Sequence, residues 1–114
     1  MPRRMRIILS NCPPERAEAI ATALVEERLA ACVNVLPGVR STYRWRGKVE
    51  REAETTLLVK TSAGTLERCT ARLRELHPYE CPEILVFSPE IAESFAPYVA
   101  WVREETTGGS GRGS

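Results

Sequence analysis

Apolar positions along the chain switch between two spacings, and the switches mark the elements. RIILSN, residues 6–11, is a short run of branched apolar residues and predicts a strand. In PPERAEAIATALVEERLA, residues 13–30, Ala17, Ile20, Ala21, Leu24 and Val25 recur at helical spacing. Pro13 and Pro14 suit the helix entry, where a missing N–H costs nothing. Glu18, Glu26, Glu27 and Arg28 fall on the face left to water. ACVNVLPGV then alternates and is rich in β-branched residues, so it predicts a strand, bent or bulged at Pro37-Gly38. RSTYRWRG continues it to a hairpin tip at Arg46-Gly47, and KVEREAETTLLVKT returns as a long strand. Ser62 is placed to cap a second helix with Leu66, Cys69, Leu73 and Leu76 on its inner face. That helix ends before Pro78, because a residue preceding proline avoids the helical region. EILVFS is the fourth strand. Ser94 is placed to cap a last helix with Pro97 in its first turn and Phe95, Tyr98, Val99 and Val102 apolar.

The resulting order, β-α-β-β-α-β followed by a helix, is an α+β, ferredoxin-like βαββαβ arrangement with an added C-terminal helix. It predicts one domain over residues 1–105 with an antiparallel sheet. TTGGSGRGS, residues 106–114, has the composition of a flexible tail. In this fold two helices cover one sheet face, and the other face is usually polar. Here RIILS, TTLLVK and EILVF are apolar at both parities, so both faces want cover. A second subunit packed sheet against sheet supplies it. The alternative is that the last helix and the long hairpin fold back over the open face.

Charge and cysteine usage narrow the function. With 114 residues, 16 basic and 15 acidic side chains and a net charge of +1, the chain lacks the basic excess of a nucleic-acid or anionic-membrane binder. No apolar run approaches the ~20 residues of a membrane span, and Ile7–Leu9 is too short for the core of a signal peptide. A cytoplasmic location is therefore expected, with Cys12, Cys32, Cys69 and Cys81 as reduced thiols. No C-x-x-C pair and no phosphate-cradling glycine loop is present.

The densest chemistry lies in HPYECPEI, residues 77–84. His77 is the only histidine and suits a general base, a soft-metal ligand beside Cys81, or a hydrogen-bonded residue at a helix end. The residues alone favour the last. Glu80 and Glu83 flank Cys81-Pro82 and can do acid–base work or bind a cation. Tyr43 and Trp45 share one strand face, interleaved with Arg44 and Arg46. The third strand lacks the glycine- and aromatic-rich motif of an RNA-recognition sheet, so packing between subunits is the better use for them. No nucleophile–histidine–carboxylate set assembles around His77, so an enzyme is not expected.

Three segments together, LVEERLAACVNVLPGVRSTYRWRGKVE, ETTLLVKT and LHPYECPEI, resemble the CutA family of divalent-cation tolerance proteins, in order and register from about Ile7 to Trp101. The resemblance implies a tight homotrimer with PII-like architecture and no established catalytic activity. It implies no obligatory cofactor, with copper or another divalent cation as the ion some members bind. It implies an inter-subunit ligand cleft lined by Tyr43, Trp45, Lys60, His77, Tyr79, Glu83 and Trp101, with Gly47 and Pro82 also matching family positions. His77, with Glu80 and Glu83, is the implied metal contact. Some relatives carry a cysteine where this chain has Leu9, which argues against a first-strand copper thiolate here. Cys81 and Cys32 are expected to pack. A PII-like signalling trimer, or a scaffold docking an unknown protein partner without metal, is the alternative.

Overall fold

Short-range periodicity and proline placement build most of the fold. The computed structural model describes residues 4–106. In order they form β1 (Met5–Cys12), α1 (Pro14–Glu26), β2 (Cys32–Trp45), β3 (Lys48–Ser62), α2 (Leu66–Leu76), β4 (Leu85–Phe87), a 3-10 turn (Ile91–Glu93) and α3 (Ala96–Glu105). The sheet order is β2-β3-β1-β4, and every pairing is antiparallel. The ferredoxin-like expectation therefore holds. Pro14 opens α1, and a left-handed residue closes it: Arg28 (φ 60°), whose N–H donates to the Val25 carbonyl while Leu29 N–H donates to that of Leu24. This is the Schellman closure, with arginine in the position glycine usually takes.

Alternation along β3 sends Leu57, Val59 and Thr61 towards the helices and Thr56, Leu58 and Lys60 to the open face. On the helix side Ile8, Ile20, Leu24, Leu57, Val59, Cys69 and Leu73 pack into one core. On the open side Met5 packs with Val99 and Val102 of α3, and Ile7 joins them. The last helix does fold back, but over one end of the sheet only. Leu36, Leu85 and Phe87 stay exposed on this face, Phe87 by 50%.

The hairpin turns where the sequence predicts. Arg46 and Gly47 both have positive φ (51° and 84°) and join Trp45 to its partner Lys48, as a two-residue turn between twisted strands requires. The register shifts between Leu36 and Val39, so Pro37-Gly38 is a bulge, with Gly38 at φ 79°.

Three expectations need correction. Ser62 does not cap α2: it ends β3 opposite Met5, and its hydroxyl donates to Thr65 Oγ1 at 2.8 Å. Thr65 stands at the helix N-cap, but its hydroxyl donates to the Thr106 carbonyl at 2.7 Å instead of accepting from the helix. Ser94 does not cap α3, because its hydroxyl reaches back to the Glu90 carbonyl at 2.7 Å. The fourth strand keeps only Leu85–Phe87 of EILVFS, with Pro82 and Pro89 on either side. Of the expected tail, residues 107–114 lie outside the described residues. Thr106, its first residue, is fully buried. Its Oγ1 lies 2.8 Å from Ser62 Oγ and 2.9 Å from the Val102 carbonyl, which ties the end of α3 to the end of β3.

Candidate functional site

β4 stops pairing opposite Leu9, two residues before Asn11, so the β1–β4 ladder ends with a free β1 carbonyl. His77 fills that place. It follows α2 directly in extended conformation (ψ 131°), because Pro78 forbids another helical turn. Its Nε2 lies 2.7 Å from the Asn11 carbonyl, and its Nδ1 accepts the Tyr79 N–H at 3.2 Å. Only the neutral ring protonated on Nε2 satisfies both bonds. The imidazole is 6% exposed and packs against the Tyr79 ring at 4.8 Å. Both nitrogens are engaged with backbone, so His77 has no lone pair to offer a metal. The metal role expected for it does not fit this structure.

What His77 fixes is Tyr79. The Tyr79 hydroxyl crosses to β3 and donates to Glu54 Oε2 at 3.0 Å. Burial first, and then the Glu54 carboxylate, push that hydroxyl's ionisation far above the usual tyrosine range. Asn11 completes the frame: its Oδ1 accepts from Thr56 Oγ1 at 2.6 Å, and its Nδ2 donates to Glu83 Oε1 at 2.8 Å. Three segments remote in sequence thus meet at one corner.

This corner and the open side of the hairpin flank a cavity of about 430 Å³ that is open to solvent on one side. Tyr43, Trp45 and Tyr79 supply aromatic wall, and Glu52, Glu54, Glu80 and Glu83 supply carboxylates, with Asn11 and Cys81 completing the lining. Period-two spacing on β3 sets Glu52 and Glu54 on the face that carries Tyr43 and Trp45 on β2. Burial first, and then Glu52, raise the Tyr43 hydroxyl. Glu54 is 7% exposed, yet no ion pair among the described residues involves it or the other three carboxylates. Arg46, at the hairpin tip, holds its guanidinium over the Trp45 ring, 5.4 Å from the centroid, and is in no ion pair among the described residues.

Of the expected cleft residues, the structure gathers Tyr43, Trp45, Tyr79 and Glu83 around the cavity, together with Glu80. Lys60 lies elsewhere on the open face, hydrogen-bonded to Asn34 Oδ1. Trp101 is on α3 against Tyr98, 5.6 Å between ring centroids. His77 stands behind Tyr79 and not in the wall. Asn11, Glu52 and Glu54 are the residues that sequence reasoning missed. The alternation Glu50, Glu52, Glu54 in EREAE was the one available signal, and it names a face without naming what lies opposite.

A copper-type centre does not fit these residues. Among the described residues no group of three or more His, Cys, Asp or Glu side chains is placed to hold a metal ion. Cys81 is exposed at the cavity, contrary to the packing expected of it. Cys12 is buried, and burial first, then Glu54, raise its thiol, which makes it a packing residue and not a thiolate ligand.

Comparison with known proteins gives a consistent result. The sequence model described as "CutA1 divalent ion tolerance protein" matches residues 6–105. The "Divalent-cation tolerance protein CutA" of Thermus thermophilus is 48% identical over 101 residues, covering 88% of this chain and 96% of its own. "Protein CutA" of Homo sapiens is 41% identical over 97 residues, 84% of this chain but only 53% of its own length. Among solved structures, the "PII-like protein CutA from Nostoc sp. PCC 7120 in apo form" superposes with a TM-score of 0.86 at 48% identity, covering 89% of this chain and 96% of that one. CutA from Xylella fastidiosa gives 0.84 at 43% identity, covering 90% and 97%.

Proposed function

The chain belongs to the CutA1 divalent ion tolerance family, and from that premise we propose that it works as a homotrimeric, cytoplasmic binding protein for a cationic ligand, with the Glu54–Tyr79 cavity as its site and no catalytic step. The observation that carries this reading is the cavity's charge. Four carboxylates line about 430 Å³, one of them more than nine-tenths buried, and no basic side chain among the described residues pairs with any of them. A buried carboxylate needs a positive partner or it costs stability. The ligand is the missing partner. Glu80 and Glu83 are the carboxylates a divalent ion would contact, through retained water, and His77 takes no part.

Self-association is supported by the open sheet face. α3 covers one end, and Leu36, Leu85 and Phe87 remain exposed where an identical neighbour can cover them. The subunit number rests on the family resemblance. The cytoplasmic placement is supported by four free cysteines, which suit a reducing compartment. Among the described residues no helix is long and apolar enough to cross a membrane.

Native mass spectrometry of the full chain, with and without copper(II), other divalent ions and small organic cations, tests the reading. A threefold mass is expected, with cationic adducts that fall away when Glu52, Glu54, Glu80 and Glu83 are all changed to Gln. A monomer, or adducts indifferent to the loss of those carboxylates, refutes it.

A further inference from the structure

The cavity's shape and wall chemistry say which kind of cation it takes, given the reading of it as a ligand site. A bare divalent ion is small, and several oxygen or nitrogen donors must converge on it. Among the described residues no such convergence exists. An ion would also leave most of about 430 Å³ unfilled, whereas this volume falls within the ~300–1,000 Å³ of small-molecule sites. The carboxylates are spread along the cavity and not focused on a point: Glu52 and Glu54 on β3, Glu80 and Glu83 on the far corner.

Between them stand three aromatic rings. Tyr43 and Trp45 come from β2, and Tyr79 is locked from behind by His77 and in front by Glu54. Ring faces attract ammonium and guanidinium groups, Trp most strongly, and a hydrated metal ion gains little from them. That these rings accept such a group is visible in Arg46, whose guanidinium already lies over Trp45 at 5.4 Å. Tyr79 and Asn11 spend their hydrogen bonds holding Glu54 and Glu83 in place, so the carboxylates are oriented before a ligand arrives.

We propose that the cavity binds a small organic cation, an ammonium or guanidinium carried on a short apolar body, held between the Tyr43, Trp45 and Tyr79 rings and neutralised by Glu54 and its neighbouring carboxylates. The same charge could be delivered by an arginine or lysine of a second copy of this chain. The two sources share one chemistry and differ in what their loss does.

Isothermal titration calorimetry of the full chain with agmatine, spermidine and tetramethylammonium, against glutarate and Mg²⁺, tests the proposal, with native mass spectrometry on the same samples. Expected is saturable binding of at least one organic cation, none of glutarate, and no competition by equimolar Mg²⁺. Trp45→Leu and Glu54→Gln should each weaken binding about tenfold or more, with the oligomer mass unchanged. Glu54→Gln is isosteric, and an unchanged circular dichroism spectrum identifies a folded variant. Trp45 is half-exposed near the hairpin tip, so its variant tests the wall without touching the core. If divalent ions bind through the carboxylates while organic cations do not, this proposal falls and the cation-binding function stands. If no cation of either kind binds, both fall. If Glu54→Gln or Glu52→Gln dissociates the oligomer, the cation is a side chain of a second copy, and the free-ligand proposal is overturned.

Discussion

Replacing His77 with Ala separates a structural corner from a metal ligand. The substitution removes the bond to the Asn11 carbonyl (2.7 Å), the bond from the Tyr79 N–H (3.2 Å) and the ring contact with Tyr79 (4.8 Å). A buried polar group left without a partner costs ~1–3 kcal/mol, and water entering this corner puts both backbone groups at the low end of that range. A tilted aromatic contact contributes a further ~0.5–1.5 kcal/mol. The loss comes to about 3 kcal/mol of folding stability. Urea unfolding at one fixed protein concentration measures it, since an oligomer's midpoint moves with concentration. His77→Phe keeps a ring and loses the bonds, so it should recover only the smaller, aromatic part. A loss below ~1 kcal/mol for His77→Ala would refute the reasoning. So would copper(II) stabilising the wild-type protein but not the variant, because a ring with both nitrogens engaged cannot serve as a ligand.

Tyr79→Phe should cost about 1.5–3 kcal/mol at neutral pH, because Glu54 loses the hydroxyl that donates to it. The same hydroxyl titrates above its ordinary value in the fold, so its contribution is full below about pH 10 and falls as pH rises beyond it, by at most ~1.4 kcal/mol per pH unit. Denaturant midpoints followed into alkali should therefore decline less steeply for Tyr79→Phe than for wild type. Cys69, pushed up to about 11 by burial, adds the same alkaline loss to both proteins. Thr106→Val keeps the shape of a fully buried residue but breaks its hydroxyl links to Ser62 and Val102. About 1–3 kcal/mol should be lost, with amide exchange in α3 accelerating first. Leu24→Ala, at a fully buried core position, should cost ~2–5 kcal/mol in the same unfolding assay and leave ligand selectivity unchanged.

Elements set by neighbours in the chain were legible in the sequence. Pro14 and the helical spacing through Leu24 gave α1. Pro37-Gly38 and Arg46-Gly47 gave the bulge and the tip, because backbone conformation there depends on the residues themselves. The both-parity apolar strands call for cover on both sheet faces, and within the chain α3 supplies it at one end of the open face while the rest stays exposed. Side-chain partners were not legible. Ser62 and Ser94 look like caps, but their hydroxyls found other acceptors. His77 is legible as a hydrogen-bonded residue at a helix end, but nothing local reveals that its partner is a carbonyl 66 residues upstream. Glu54 and Tyr79, 25 residues apart, meet only after β3 has taken its register against β1 and β2. A cavity whose walls come from three segments leaves no spacing to read.

The position of β1 in the sheet bears on how the chain folds as it is made. β1 lies between β3 and β4, yet it precedes both in sequence, pairing with residues 55–62 on one side and 85–87 on the other. At ~5–20 residues per second, its second edge stays unpaired for roughly 4–16 s after it leaves the ribosome. The β2–β3 hairpin needs no such wait, because its strands are joined by two residues. The hairpin is therefore the early unit, and β1 docks onto a ribbon that already exists. Until β4 arrives, an apolar strand with one open ladder is the part of the nascent chain most in need of protection by a chaperone.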